Sequence, residues 1–389
     1  LESGETTATQ RAHAAYMLVL AEEETFEMTA SEREAWLQRC DAEHDNFRVA
    51  IHHLIVEGNA EWALRLSGAL FRFWEQRDHL TEGRETAARV LAMPGADAAT
   101  RWRARTLYGA TMLADLQGDV STAEALSREA CEIYRLFGDT RGIAATVTAL
   151  AWQAQRRGRY AEATFRFHET VTLWEQMGDT AAADLARSNM ANAAMAEGRH
   201  ALARSLLDQV ARASRARGDV RGVASALNGL GDLAAAQGDH GEARRFHLQS
   251  LAGYRQIDDR WGASRVLTGL ANLDLDARDY VAARRSLLQA LRAFLALRHQ
   301  RGVARVLESL SWCAACQERD YEAVVLASAA AAIRLKVGTP ARPRERERIE
   351  QTLALARTRI SDDVYATAWR EGRTNPLDRI LGLAAAGSA

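Results

Sequence analysis

Apolar and polar positions follow the period of an amphipathic helix along most of this chain. From about residue 100 onward, stretches of roughly 16 residues with this pattern are separated by short turns. Only 4 prolines occur in 389 residues, and alanine is abundant. Proline interrupts helices and alanine favours them, so the pattern predicts an all-α protein and argues against a sheet-rich one.

Two interleaved series of turns give this helical region a regular period. One series steps by 40 residues and finally by 41: Gly118-Asp119, Gly158-Arg159, Gly198-Arg199, Gly238-Asp239, Arg278-Asp279 and Arg319-Asp320. The other does the same: Gly138-Asp139, Gly178-Asp179, Gly218-Asp219, Asp258-Asp259 and His299-Gln300. Glycine adopts the left-handed conformation that ends a helix, and aspartate caps the next one. Each period therefore predicts one helical hairpin.

Small residues recur at fixed places in both helices of the hairpin, where they allow close packing. They are Thr111, Ala151, Ala191, Gly231 and Ala271 in the first helix, and Ala123, Ala163, Ala203, Ala243 and Ala283 in the second. One hairpin cannot bury its apolar face alone, so neighbours must stack. We predict a right-handed superhelical solenoid of tetratricopeptide-like helical hairpins, with a period longer than the common 34 residues.

The two ends of the chain depart from the regular pattern and predict three parts. Residues 1–93 are expected to form an N-terminal helical cap with a degenerate hairpin, ending near Pro94-Gly95. Residues 94–337 are expected to form the array of about six repeats. Residues 338–389, which follow a proline-containing loop, are expected to form a C-terminal helical cap.

A ligand groove is expected where the first helices line the concave face of the array. Residues three or four apart on a helix share a face, so columns of equivalent positions can be read along the repeats. The 41-residue step places Val306, Ser309 and Cys313 in these columns in the last repeat. The candidate binding residues are Tyr108, Trp152, Ser188, Asn192, Asn228, Asp232, Arg265 and Asn272.

The chemistry of these columns favours an extended peptide. Amide groups such as those of Asn192 and Asn272 both donate and accept hydrogen bonds, as a peptide backbone requires. Arg265 would bind a carboxylate, and Trp152 and Tyr108 would supply a stacking wall. The alternative is an ordinary solvated groove, or polar residues bonded to one another.

Other candidate sites in the sequence are less persuasive. Cys313 and Cys316 have the spacing of a metal or redox pair, but no second pair completes a zinc site, so two small packed residues are expected. His44 and the pair His52-His53 show no further ligand partner in the sequence and are interpreted as capping or surface residues. The tryptophans, Trp261 among them, are interpreted as core or inter-repeat packing. No catalytic group, cofactor or metal is expected.

Charge and composition limit the partners and the cellular compartment that can be expected for this chain. The formal net charge is −1, so no global field draws the chain to nucleic acid or membrane. No apolar run reaches the length of a membrane span, and no signal peptide opens the chain. Four cysteines are too few for a disulfide framework, so a reducing bacterial cytoplasm is expected. Because the chain starts at Leu1, we expect a fragment of a longer protein.

Segments near both ends resemble one bacterial family. They are Trp36-Leu-Gln-Arg-Cys-Asp-Ala-Glu-His-Asp-Asn-Phe-Arg48, Ala69-Leu-Phe-Arg-Phe-Trp74 with His79-Leu-Thr-Glu-Gly-Arg84, and Ala366-Thr-Ala-Trp-Arg-Glu-Gly-Arg373 within the tail 329–383. They are similar to the tetratricopeptide-repeat sensor arm of STAND-type ATPase transcriptional regulators related to AfsR and MalT, the predicted-ATPase family. In that family the arm accompanies an ATPase core and a DNA-binding domain.

The resemblance implies a sensor arm without the ATPase core that accompanies it in that family. The single lysine, Lys336, lies between Leu335 and Val337, so the chain holds no Gly-x-x-x-x-Gly-Lys-Ser/Thr loop for nucleotide phosphates. We therefore expect a sensor or scaffold domain that binds a peptide, protein or small inducer, with no direct nucleic-acid contact and with homo-oligomerisation left open. The alternatives are a free-standing adaptor or a peptide-pheromone receptor, and, in a different class, an enzyme.

Overall fold

The computed structural model describes residues 2–24, 28–341, 343–374 and 382, and every regular element in them is an α-helix. Five helices precede the regular array: α1 (Glu2–Glu22), α2 (Ala30–Ala42), α3 (His44–Glu57), α4 (Ala60–Gln76) and α5 (Leu80–Leu91). No helix in these ranges is both long enough and apolar enough to cross a membrane.

Twelve helices of 16 to 18 residues then alternate as the first and second helices of six hairpins. The first helices are α6 (Arg101–Leu116), α8 (Thr140–Arg156), α10 (Thr180–Ala196), α12 (Val220–Ala236), α14 (Arg260–Asp276) and α16 (Gln300–Cys316). The second helices are α7 (Val120–Leu136), α9 (Tyr160–Gln176), α11 (His200–Ala216), α13 (His240–Gln256), α15 (Tyr280–Ala296) and α17 (Asp320–Val337). The predicted all-α repeat solenoid is confirmed.

The period is set by one left-handed residue at every turn. Positive φ angles recur every 20 residues, at Gly118, Gly138, Gly158, Gly178, Gly198, Gly218, Gly238, Asp258, Arg278, Arg298, Glu318 and Gly338. The predicted 41-residue steps are therefore wrong, because the last turns lie at Arg298 and Glu318. Trp312, and not Cys313, is the counterpart of Asn272.

Side-chain caps begin most helices of the array, as the Gly-Asp turns predict. The carboxylate of Asp219 accepts a hydrogen bond of 2.9 Å from the N–H of Gly222, and Asp119, Asp139, Asp179, Asp239, Asp259 and Asp279 make the same contact. Arg159 and Arg199 stand at the same position and form no side-chain cap. The caps satisfy N–H groups that the first turn leaves unpaired.

The predicted small residues lie at the helix contacts. Ala151, Ala191 and Ala271 in the first helices are fully buried, as are Ala163 and Ala203 in the second helices. A second close contact joins the hairpins: a Cβ added to the third residue of a first helix would overlap an aromatic ring of the preceding second helix. The pairs are Gly142 with Tyr134, Gly262 with Tyr254, and Gly302 with Phe294.

Two further helices, α18 (Pro343–Arg359) and α19 (Asp362–Thr374), close the C-terminal end. Helix α19 packs on α17, where the hydroxyl of Ser328 donates to the carbonyl oxygen of Trp369 at 2.5 Å. Helix α18 packs on α16 and α17, where Arg359 donates to the carbonyl oxygen of Ala315 at 3.0 Å.

The chain forms two compact units that divide between Met177 and Gly178. The first contains α1 to α9 and the second α10 to α19. The division falls inside the regular array and does not follow the predicted three parts, 1–93, 94–337 and 338–389. That division by sequence character stays a prediction.

Candidate ligand-binding face

The first helices of the second unit share one continuous side-chain stripe. Helix α10 lies beside α12, and α12 beside α14. We call this surface the first-helix stripe; on each helix it occupies positions spaced by about one turn, and most of its side chains are exposed or half-buried. Its members are Leu185, Ser188 and Asn192 on α10, Ser225, Asn228 and Asp232 on α12, and Trp261, Arg265, Thr268 and Asn272 on α14.

A polar cluster lies at the centre of the stripe. The amide nitrogen of Asn228 donates to a carboxylate oxygen of Asp232 at 3.1 Å. The other carboxylate oxygen lies 3.7 Å from Nε2 of His247, a residue of α13 that is only 1% exposed. Two buried atoms of this cluster, Oδ1 of Asn228 and Nδ1 of His247, have no hydrogen-bond partner among the described residues. The cluster therefore has unused hydrogen-bonding capacity.

The electrostatics of the cluster follow from its surroundings. Desolvation raises the pKa of Asp232 to about 6, against the opposing effects of the Arg265 charge and the Asn228 hydrogen bond. Because the Asp232 side chain is 48% exposed, solvent weakens this effect, and the carboxylate stays charged at neutral pH. Burial lowers the pKa of His247 to about 4 and keeps its imidazole neutral. The stripe thus presents a negative charge backed by a neutral imidazole.

Two glycines make room for His247. A Cβ at Gly231 of α12 would lie 2.7 Å from the imidazole, and a Cβ at Gly269 of α14 would lie 3.1 Å from it. The ring therefore fits between two adjacent first helices. From the sequence, Gly231 can be predicted only to be one of the small residues of the first helices. No nearby residue indicates that the imidazole of His247, from α13, occupies the space beside it.

An exposed cation lies next to this cluster on α14. The guanidinium of Arg265 stacks over the indole of Trp261, 4.9 Å from the ring centroid, and it forms no ion pair within the described ranges. Trp261 is 46% exposed, so of the two predicted roles, core and inter-repeat packing, the core role is wrong. The four-residue spacing of Trp261 and Arg265 is the sequence signal that could have placed both on one face. Together they offer a charged and an aromatic surface.

The serine and threonine hydroxyls of the stripe are less available as hydrogen-bond donors to a ligand than expected. Ser188 donates to the carbonyl oxygen of Asp184 in its own helix at 3.0 Å, and Thr268 donates to that of Ser264 at 2.9 Å. These hydroxyls can still accept a hydrogen bond from a ligand. The amide of Asn192 is exposed and makes no hydrogen bond to any residue that the structure describes.

The C-terminal helix α18 contacts the far end of the stripe. Arg348 donates to Oδ1 of Asn272 at 3.3 Å, and its guanidinium lies 5.9 Å from the ring centroid of Trp312. Glu345 lies 3.4 Å from Arg305. At α16 the stripe therefore continues through Arg305, Glu308 and Trp312. The predicted Val306, Ser309 and Cys313 are buried, because the repeat keeps its 40-residue step.

Tyr108 and Trp152 belong to the first unit, whereas the helices that form the first-helix stripe belong to the second. The ring of Tyr108 on α6 packs edge-on against Phe71 of α4, with centroids 5.7 Å apart. Desolvation raises the pKa of its phenol. Trp152 is half-buried on α8. The stacking wall predicted from these two residues stays a prediction.

The cysteine pair has the environment of packed residues. Cys313 is fully buried and Cys316 is half-buried, and burial raises the pKa of the Cys313 thiol to about 12. A thiol that stays protonated is a poor nucleophile and a poor metal ligand. The structure therefore agrees with the packing interpretation of this pair.

Comparison with known proteins supports the helical-repeat fold. A sequence profile of the tetratricopeptide repeat matches residues 179–256, which cover α10 to α13. No curated protein matches the sequence. The structure of a Rap protein complexed with competence and sporulation factor is 13% identical, covers 94% of this chain and 99% of its own, and superposes with a TM-score of 0.54.

Two further solved structures are similar at low sequence identity. NprR in complex with its cognate peptide NprX is 12% identical over 77% of this chain and 83% of its own, with a TM-score of 0.50. A STAND protein with a tetratricopeptide repeat sensor from Pyrococcus horikoshii is 12% identical over 93% of this chain and 55% of its own, with a TM-score of 0.49. Together, the tetratricopeptide-repeat match and the likeness to the Rap-protein structure show that the chain is a tetratricopeptide-like helical-repeat scaffold.

Proposed function

We propose that this chain is a sensor or scaffold domain that binds a peptide on the first-helix stripe, with a protein or a small inducer as the wider class of partner. The central observation is that the exposed amide of Asn192 has no hydrogen-bond partner, and the exposed guanidinium of Arg265 no ion pair, among the described residues, in the same stripe as the half-exposed carboxylate of Asp232. A ligand on the stripe can bond to these groups directly.

The charge pattern suggests how a peptide would lie. Backbone amides of the ligand would pair with Asn192 and Asn228, a carboxylate would pair with Arg265, and an amine or N–H group would approach Asp232. Such extended ligands gain affinity mainly from backbone hydrogen bonds and gain specificity from side-chain pockets. In this view Arg348, which contacts Asn272, marks the end of the binding surface.

The wider role that we propose is the sensor arm of a STAND-type transcriptional regulator of the AfsR and MalT kind, as the terminal segments suggest. The second candidate is a free-standing adaptor or peptide-pheromone receptor. It is favoured by the likeness to the Rap and NprR structures, both determined with a bound peptide or factor and both covering most of this chain. A nucleotide-binding P-loop elsewhere in the same polypeptide would favour the regulator.

Identification of the ligand comes first, by mass spectrometry of peptides that co-purify with the full-length protein. Calorimetry with the identified peptide then tests the stripe. We expect Asn192→Ala combined with Asn272→Ala, and separately Arg265→Ala, to weaken binding by about tenfold or more, since each removes a hydrogen bond or a charged contact.

Arg212→Ala is the matched control, because Arg212 is an exposed arginine on the second helix α11. It should bind as the wild type does. Unchanged affinity in the stripe variants, with circular dichroism showing an intact fold, would refute the proposed site.

A further inference from the structure

Two histidines and a glutamate converge in the first unit. His44 is the first residue of α3, His79 immediately precedes α5, and Glu82 lies in the first turn of α5. One potential ligand atom from each residue lies within 4.8 Å of the other two. From the sequence alone, His44 shows no ligand partner and is interpreted as a capping or surface residue; the fold brings it together with residues 35 and 38 positions away.

The side chains of this cluster are held in place by their neighbours. The two imidazoles lie with ring centroids 4.3 Å apart, and both pack against the ring of Phe73, at 5.1 Å and 5.5 Å. Arg48 donates from Nε and Nη2 to the two carboxylate oxygens of Glu82, at 2.9 and 2.6 Å. Nε2 of His44 lies 2.9 Å from the carboxylate oxygen Oε1. Outer contacts of this kind orient metal ligands in proteins.

The positive charges near this cluster are paired with carboxylates. Arg48 pairs with Asp45 as well as with Glu82. The nearby Arg77 pairs with both Glu34 and Asp41, each through a contact of 2.9 Å. Both arginines are thus paired with carboxylates, so neither opposes a divalent cation with an uncompensated positive charge.

We propose that His44, His79 and Glu82 form a binding site for a divalent transition metal such as Zn²⁺, with a fourth position for water. Two imidazole nitrogens and a carboxylate oxygen are a common ligand set for this ion, at bond lengths of about 2.0–2.2 Å. The ion takes the place of the contact between His44 and Glu82. It links the start of α3 to the start of α5 and so stabilises the first unit.

Full-length protein without an affinity tag, stripped with a chelator, provides the test. Titration with Zn²⁺ in a calorimeter and with Co²⁺ in a visible spectrometer reports affinity and coordination. We expect one tight site per chain, the strong visible absorption of tetrahedral Co²⁺, and a higher melting temperature with bound metal.

Variants assign the ligands. His79→Ala should weaken Zn²⁺ binding by more than about 100-fold, because loss of a direct ligand costs more than loss of an outer contact. His52→Ala, which changes an exposed histidine of α3, the helix that begins at His44, should leave Zn²⁺ binding unchanged. If His79→Ala fails to fold, Glu82→Gln replaces it, because glutamine retains an acceptor for Arg48. Absence of a tight site in the wild type, or wild-type affinity in a folded variant of either ligand, would show that the cluster is a hydrogen-bond network only.

Discussion

At the scale of single residues, the aspartate caps are the simplest stabilising device of the array. The carboxylate of each aspartate accepts a hydrogen bond from a backbone N–H in the first turn of the helix that follows it. The negative charge thus lies near the positive end of the helix dipole. The equivalent arginines, such as Arg199, leave that turn without a side-chain cap. Caps of this kind therefore contribute unequally from repeat to repeat.

Replacement of Asp219 by alanine should measure one such cap. We expect Asp219→Ala to lower the free energy of unfolding by about 1 kcal/mol, because the N–H of Gly222 loses its partner. Denaturant unfolding gives the value. Arg199→Ala changes the same position of the preceding helix, where no cap exists, and should cost much less; equal losses in the two variants would contradict the assignment.

His299 makes one cap sensitive to pH. Its Nδ1 accepts a hydrogen bond of 2.9 Å from the N–H of Gly302, so it must be unprotonated. Burial, followed by the charges of Arg301 and Arg305, lowers its pKa to about 3, from an ordinary value of 6.5. Between these values the unfolded chain binds more protons than the folded one. The contribution of the His299 cap to the free energy of unfolding is therefore complete above pH 6.5 and is lost as the pH falls toward 3.

His299→Asp should remove much of this dependence, because aspartate is the cap at the equivalent first helices and stays charged down to about pH 4. We expect the loss of stability between pH 7.5 and pH 5 to be smaller in His299→Asp than in the wild type. Urea unfolding at the two pH values makes the comparison. An identical loss in both proteins would show that His299 does not contribute.

At the scale of elements, close packing fixes how the last helix sits on the array. Gly372 of α19 faces the backbone of α17: an added Cβ would overlap the carbonyl oxygen of Val325 and would lie 2.8 Å from Cβ of Ser328. A backbone atom cannot move aside as a flexible side chain can. Small size at position 372 is therefore what allows α19 to dock.

Gly372→Ala should loosen this docking, although alanine favours the helix itself. We expect a loss of about 1–3 kcal/mol and faster hydrogen exchange in α19 and along its contact with α17. Gly241→Ala is the control, since the nearest atom to its Cβ would lie 3.6 Å away. If both variants exchange as the wild type does, α19 does not depend on this contact.

At the scale of the whole molecule, the sequence predicts what is local and misses what is brought together by folding. Turn residues and caps lie next to each other in the chain, so the hairpin and its period could be inferred from spacing. The register failed only at Arg298 and Glu318, where the left-handed residue is not glycine and the residue after it is not aspartate. Arginine and glutamate carry no composition signal for that conformation.

In the candidate sites, too, residues that are close in the chain could be grouped from the sequence, and residues that are distant in the chain could not. Asn228 and Asp232 are four residues apart on one helix, so their shared face could be predicted. Their neighbour His247, and the contact of Arg348 with Asn272 across 76 positions, depend on stacking between helices. So does the meeting of His44 with His79 and Glu82. Without knowledge of which helices touch, these side chains cannot be grouped.

The strict 40-residue step has a consequence for how such a chain can change length. Gain or loss of a complete hairpin presents the same kind of surface to each neighbour, with small residues and caps still opposite their partners. Gain or loss of 20 residues instead exchanges first and second helices, so that second-helix residues such as Arg212 take the stripe positions of first-helix residues such as Asn192. Duplication of whole repeats is therefore the change in length that preserves both the packing between hairpins and the order of first and second helices.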